Sequence, residues 1–436
     1  MTGEPTLTDR LASLWDHLGL RTAHVAAQIP ADLNGFASQH PERIASLLLC
    51  EAPGIDPASF AALAARLTLV AGDAGLSGQV ADAAAPQLPG CRRVVLPGYG
   101  EPLWADSVSH RTEAIVAALR DLPGDASVPA AASDRGSHAG ITYRIHGAGP
   151  ALVLLPLLLA PSQWEAAIPA LAQHYSAIVL GGRHLSGVAL LEDRAMSPSY
   201  AGMVKTMLDV MAPAAGEAIL EVGCGSGALL RLLARQLGGA NPLTGVDLNP
   251  FLLREAAILA EEDGLADRIA FQEGNAERLP FGDASFDHAY SVTVLEECDA
   301  DRALRELRRV VRPGGRVGVI VRAADMPLPW NVDLPEALRQ KVEIRPPLVG
   351  PGGVADRSLY ARMAAAGFER LTCFPMLPSF DRVDGPFFRF LEGSVLVRLS
   401  AEERPVWQAA RQAALDTGVL FVAAPHHRAV GRRPEA

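Results

Sequence analysis

Between residues 218 and 321, short apolar runs alternate with stretches whose apolar positions recur every three to four residues. The runs at 218–222, 243–247, 269–273, 286–291 and 316–321 have strand length. Between them, 228–237 is leucine-rich and stops at Gly238-Gly239, Asn249-Pro250 opens a helix reaching about residue 263, and 301–311 repeats the helical spacing. Strands separated by helices of this length predict a parallel, doubly wound α/β sheet. Runs at 367–374 and 418–424 read as two closing strands. Just upstream, Ser197 is a suitable N-cap with Pro198 at the first helical position, followed by Tyr200, Met203, Met207, Leu208 and Met211 at helical spacing.

The N-terminal part has its own strand-like runs. Residues 152–155 and 176–180 are continuously apolar, as in strands covered on both faces. Residues 125–138 are small, polar and aperiodic, and read as a linker. A chain of 436 residues exceeds one ordinary domain. The pattern predicts two α/β domains, 1–190 and 191–436, the second with insertions near 326–353 and 375–417.

Composition narrows the function. Hydrophobic residues are 49%, charged residues 20%, and the formal net charge is −10, with no basic stretch of the kind nucleic acid requires. The longest apolar run, 151–161, contains Pro156 and is shorter than the ~20 residues of a membrane span, so no membrane insertion is expected. Met1-Thr-Gly-Glu-Pro lacks the basic start and apolar stretch of a signal peptide, and a cytoplasmic protein is expected. Five scattered cysteines without C-x-x-C spacing predict free thiols and no metal site.

The chemistry concentrates around Glu221-Val-Gly-Cys-Gly-Ser-Gly227. Gly223, Gly225 and Gly227 lie between a strand and a helix, where glycine lets backbone approach a ligand closely. A dinucleotide fingerprint is G-x-G-x-x-G; here the spacing is E-x-G-x-G-x-G. The carboxylate of Glu221 suits a ligand with a cationic amino-acid part and repels a pyrophosphate. Asp247 ends the next strand, where an acid can accept two ribose hydroxyls. Asn275-Ala276 follows the third strand, in position for an adenine edge.

These stretches, with Val246-Asp-Leu-Asn249, Gly274-Asn-Ala-Glu-Arg-Leu-Pro-Phe281, Ser285-Phe-Asp287 and Arg312-Pro-Gly-Gly315, resemble class I methyltransferases, in particular the group of ubiquinone and menaquinone C-methyltransferases. The resemblance implies S-adenosylmethionine as cofactor, met by Glu221, Gly223, Gly225, Gly227, Asp247, Leu248, Asn275, Ala276 and Ser291. It departs from the family at Asn275, where aspartate is common, and at Glu297, where histidine is common.

A second resemblance lies in front, out of order. Residues 18–98 resemble the later half of an α/β-hydrolase and residues 140–187 its first half, a circular permutation. The chemistry of that fold is missing: Ile29 stands at the nucleophile position, Glu101 at the histidine position and Pro156-Leu157 at the oxyanion turn. An orienting acid such as Asp73 performs no acyl transfer alone.

For methyl transfer, Glu297, Tyr200 and His426 are the candidate catalytic groups, with Glu296 and His427 beside them. Each has a plainer reading: a cap, a helix-face residue, a loop residue. Six of the 13 phenylalanines fall between Phe374 and Phe421, with Phe387, Phe388 and Phe390 clustered, which suits helix core or an apolar acceptor pocket. The expected protein methylates a small, hydrophobic or aromatic molecule, with a homodimer as a candidate assembly. The alternatives are a protein using S-adenosylmethionine for another reaction such as a cyclisation, or a non-enzymatic responsive module.

Overall fold

The computed structural model describes residues 5–101, 105–239, 241–345, 349–396, 398–400 and 402–435. The start of the leader reading and parts of both expected insertions (346–348, 397 and 401) lie outside the described residues. The chain divides into two compact units, Met1–Ala189 and Leu190–Ala436.

The first unit is built on one eight-stranded sheet. Its strands are β1 (Ala23–Ala27), β2 (Ile44–Cys50), β3 (Leu67–Gly72), β4 (Arg92–Leu96), β5 (Arg135–His138), β6 (Ile141–His146), β7 (Ala151–Leu154) and β8 (Ser176–Gly181). They lie in the order β4-β3-β2-β1-β7-β8-β6-β5. The central strands are parallel; β6 runs antiparallel to β8, and β5 antiparallel to β6. Strands β1, β2, β3 and β7 are buried at every position, as continuous apolar strands covered on both faces must be. The Leu7–His17 helix, capped by Thr6, buries Leu11, Leu14 and Trp15 in the core formed with Val25, Leu47, Val153 and Ile178.

Two expectations change here. The apolar run at 176–180 is expected to lie directly beside a strand of the segment before residue 122; instead the two segments meet through β7, with Val25 opposite Val153. Strand β7 stands between, because the chain returns to the sheet centre before stepping outward to β8. The expected linker also ends early: Arg135–His138 pairs with β6, its polar side chains being tolerated at an edge.

The second unit carries β9 (Ile219–Val222), β10 (Leu243–Asp247), β11 (Ile269–Glu273), β12 (Phe286–Val292), β13 (Val311–Arg322), β14 (Glu369–Met376), a small ribbon of β15 (Ser379–Phe380) with β16 (Val422–Ala423), and β17 (His426–Arg432). The main sheet has the order β11-β10-β9-β12-β13-β17-β14. Its first five strands are parallel and β17 is antiparallel to both neighbours. The direction of strand progression reverses at β9, so a crevice opens at the carboxyl ends of β9, β10 and β12. Tyr200, Met203, Met207 and Met211, on the Pro198–Met211 helix that Ser197 caps, cover one face; Leu304, Leu307, Leu359 and Met363 cover the other.

The last strand departs from the sequence reading. The apolar run at 418–424 supplies only two-residue β16, whereas His426-His427-Arg428 begins the buried closing strand. Each of these three side chains has at least one hydrogen-bond partner, although Arg428 Nε and Nη2 are left without one among the described residues. His426 Nδ1 pairs with the Ala424 carbonyl at 2.7 Å, His427 Nε2 with Asp325 Oδ1 at 2.7 Å, and Arg428 Nη1 donates to the Met203 carbonyl at 3.1 Å. Within the expected insertions, Trp330 packs edge-on against Phe388 and Trp407, 5.3 and 5.1 Å between ring centroids.

Candidate cofactor and acceptor site

The turn after β9 starts from backbone bonds. Gly223 and Cys224 N–H groups donate to the Val246 carbonyl at 2.7 and 3.0 Å, folding the turn over the end of β10. Gly223 has φ +77°, and a Cβ there would lie 2.1 Å from Val294 Cγ2. Only glycine fits. Gly225 donates its N–H to Asp247 Oδ2 at 2.8 Å, and Asn249 N–H reaches Asp247 Oδ1 at 2.9 Å. Gly227, at φ +72°, opens the Ala228–Gln236 helix.

Glu221 points from β9 into the interior, where Tyr290 donates its hydroxyl to Oε2 at 3.1 Å. Burial pushes its carboxyl up to about 8; the Tyr290 hydrogen bond opposes this and the Asp247 charge adds to it. Burial also raises Asp247, against the N–H donors of Asn249 and Gly225.

A cavity lies over this turn, lined by Glu221, Gly223, Gly225, Arg194, Tyr200 and Val292 among others. Arg194 comes from the Ser186–Met196 helix. Its guanidinium sits 5.1 Å from the Tyr200 ring centroid, and Nη1 donates to Thr293 Oγ1 at 3.2 Å. Two turn-facing neighbours on the same helix fix its position. Leu191 packs where a Cβ on Gly225 would point, and Glu192 accepts from Ser226 Oγ at 2.6 Å and pairs with Arg231. Tyr200 is fully buried, and its hydroxyl has no hydrogen-bond partner among the described residues.

His426 stands edge-on to Tyr200, 5.8 Å between ring centroids. A carbonyl only accepts, so the bond to Ala424 places the proton on Nδ1 and the lone pair on Nε2. Burial, reinforced by Arg345, Arg194 and Arg322, holds this imidazole well below its ordinary value and therefore neutral. Arg345 Nη1 donates to the Pro425 carbonyl at 2.5 Å.

Tyr200 and His426 are thus brought together, and Glu297 is not with them. Its side chain is 72% exposed and pairs with Arg322 at 3.3 Å. Glu296, fully buried, accepts from Arg322 N and Nε at 2.6 and 3.2 Å, so both acids clamp the end of β13. Ser291 is likewise turned away: fully buried, its hydroxyl donates to the Val222 carbonyl at 2.9 Å, and Val292 faces the cavity instead. Leu248 is 65% exposed beside Asp247. Asn275 uses its side-chain carbonyl locally, accepting Glu277 N–H at 2.8 Å, which leaves the amide nitrogen as its outward group; Ala276 packs against the adjoining core.

Arg194, Thr293, Tyr290 and Arg345 were not legible as site residues. Their one local signal is the position of Arg194, just ahead of the Ser197 cap. Among the described residues no cluster of three or more His, Cys, Asp or Glu could hold a metal ion. No described helix is long and apolar enough to cross a membrane.

Strand order, a glycine turn at the reversal point and an acid ending the neighbouring strand define a Rossmann-like methyltransferase sheet. Residues 220–319 match the family model described as methyltransferase domain. Methyltransferase GfsG of Streptomyces halstedii is 33% identical over 118 residues, 27% of this chain and 42% of that protein. The ubiquinone/menaquinone biosynthesis C-methyltransferase UbiE of Hahella chejuensis is 37% identical over 107 residues, 24% of this chain and 43% of that protein. The chain thus spans less than half the length of each of these curated relatives. Among solved structures, the YcgJ protein of Bacillus subtilis is 20% identical, with 54% of this chain and all of that chain covered, at a TM-score of 0.37.

Proposed function

We propose that this chain binds S-adenosylmethionine at the carboxyl ends of β9, β10 and β12 and methylates a small hydrophobic or aromatic molecule. The observation that carries the reading is the convergence of Glu221, the glycine turn and Asp247 on one crevice, beside the cavity that holds Tyr200. The residues fit the cofactor. Glu221 offers a buried carboxyl for an ammonium, and the turn has room for no Cβ at Gly223. Asp247 spends one lone pair of each oxygen on N–H groups, leaving others for vicinal hydroxyls. Exposed Leu248 offers an apolar face for a flat base, with Asn275 and Ala276 at its edge.

The cofactor supplies an activated methyl on a sulfonium, so the protein needs no nucleophile of its own. Orientation of the reactants contributes up to roughly 7–11 kcal/mol in such reactions. Tyr200 and His426 shape the acceptor end, with Phe380 6.1 Å from the Tyr200 ring and Phe387 4.5 Å from Phe380. Neutral His426 offers Nε2 to a proton leaving the acceptor, an effect worth roughly 10²–10⁴-fold where a proton must leave. The arginines around it make it a weak base and favour an acceptor that gives up its proton easily.

Incubation with S-adenosylmethionine and small aromatic or hydrophobic acceptors tests the reading. Stoichiometric S-adenosylhomocysteine and methylated product support it. Product formed without S-adenosylhomocysteine favours another use of the cofactor, and tight binding with no turnover favours a responsive module.

We also infer that the first unit is a circularly permuted hydrolase-like domain without hydrolase chemistry. Read from β5 to β8 and then from β1 to β4, its strands cross the sheet in the order 1-2-4-3-5-6-7-8: an edge hairpin, one exchange, then sequential neighbours. The strand-to-helix turn after β1 carries Ile29 at φ −100°, ψ 96°, an ordinary extended backbone with no nucleophile. Asp73 accepts Gly98 N–H at 2.9 Å.

A further inference from the structure

Building on the cofactor reading, we propose that Arg194 is the carboxylate-binding residue of the site and forms, with Glu221, a two-ended receptor for a zwitterionic amino-acid group. Arg194 and Glu221 line the same cavity as Gly223 and Gly225. Among the described residues neither is ion-paired, with the other or with any other charged group. Glu221 has only the Tyr290 hydroxyl. Arg194 has Thr293 Oγ1 and the Tyr200 and Phe387 rings, 5.1 and 6.0 Å away, but no charged partner, and its Nε is buried with no partner among the described residues.

A half-buried guanidinium beside a buried carboxyl normally pairs with it, because a charge away from water is costly alone. Here they share a cavity wall and stand apart. A group carrying an ammonium and a carboxylate on one carbon satisfies both at once, the ammonium on Glu221 and the carboxylate on Arg194. Guanidinium suits this role because its planar N–H fork matches a carboxylate. The Leu191 contact and the Glu192 bond to Ser226 hold the helix in register with the turn, so Arg194 is presented in place.

Titration calorimetry with two ligands tests this on the full-length protein. S-adenosylhomocysteine carries the amino-acid group; 5′-methylthioadenosine has the same nucleoside and thioether without it. For Arg194→Met, S-adenosylhomocysteine affinity is expected to fall by about 10–100-fold while methylthioadenosine affinity stays within twofold. Arg194→Lys, which keeps the charge and guards against a folding failure in the first variant, is expected to lose less, and on S-adenosylhomocysteine alone. Equal losses on both ligands, or no loss on S-adenosylhomocysteine, overturn the assignment. Wild-type protein that binds neither ligand overturns the cofactor reading together with it, whereas wild type that binds both and variants that lose both remove Arg194 only.

Discussion

The turns after β1 and β9 occupy like places, each leaving a central strand of a largely parallel sheet, and they differ in how their polar groups are used. After β1, Gln28 accepts Leu158 N–H at 2.7 Å and donates to the Glu51 carbonyl at 3.3 Å. Nearby Glu51 accepts Gly72 N–H at 2.7 Å and the Ser77 hydroxyl. These bonds close the turn itself, while Gln163 Nε2 and Ser107 Oγ of the same unit stay buried without partners among the described residues. After β9, among the described residues, Glu221 and Arg194 have no ion pair and Tyr200 keeps a buried hydroxyl without a partner, while three glycines take positive φ. The two turns are told apart by charge: after β9 a buried carboxyl and a guanidinium line one cavity without an ion pair among the described residues.

The comparison breaks most severely if the first sheet is cut. Residues 1–122 expressed alone lose β7, the partner of central strand β1, and uncover strands buried on both faces. We expect an aggregating product with no cooperative unfolding transition. A soluble fragment with a sharp calorimetric transition would show that this segment is a domain by itself.

The next effect belongs to the other turn. Asp247→Ala removes acceptors for two hydroxyls, each charge-assisted bond being worth roughly 1.5–3 kcal/mol. S-adenosylhomocysteine affinity is expected to fall at least tenfold in a variant that remains folded by circular dichroism. Unchanged affinity in calorimetry removes Asp247 from the site.

Glu221 gives a pH signature. In the folded, ligand-free protein its carboxyl stays protonated up to about 8, above its ordinary 4.5. The folded state therefore binds more protons than the unfolded chain between these values. Its contribution to stability is lost as pH rises from about 4.5 toward about 8, by an amount on the order of a few kcal/mol. Glu221→Gln is expected to flatten this part of the profile. Thermal unfolding of both proteins at pH 5 and pH 8 measures it, and parallel profiles would refute it.

The smallest effect is a deliberate null at the first turn. Ile29→Ser restores a hydroxyl but neither the base nor the strained turn, so p-nitrophenyl ester hydrolysis should stay at background. Turnover abolished by reverting the serine would mean that the lost chemistry is closer to hand than Glu101 and Pro156 suggest.

What was readable in the sequence follows the range of the forces involved. Gly223, Gly225, Gly227, Asp247 and the Ser197 cap act within a few residues of themselves, so spacing alone reveals them. Strands β9 to β13 follow from local periodicity. His426 and His427 read as loop residues because the burial of the 426–428 stretch depends on bonds to Ala424, Asp325 and Met203, contributed largely by distant segments. Arg194 was hidden for the same reason, since only the folded chain sets it opposite Glu221. Ser291 shows the limit of strand reading: its neighbour Val292 reached the cavity, and a one-residue step along a strand changes the face.

The pairing of Val25 with Val153 also sets a clock for biosynthesis. At translation rates of about 5–20 residues per second, the ribosome needs on the order of ten seconds to deliver β7 after β1 has emerged. During that interval β1 to β4 have every strand of their half-sheet but an open central edge. The order in which the segments are encoded therefore leaves the nascent chain with an apolar central strand edge waiting for cover, and chaperone demand during synthesis should fall on the interval between β1 and β7.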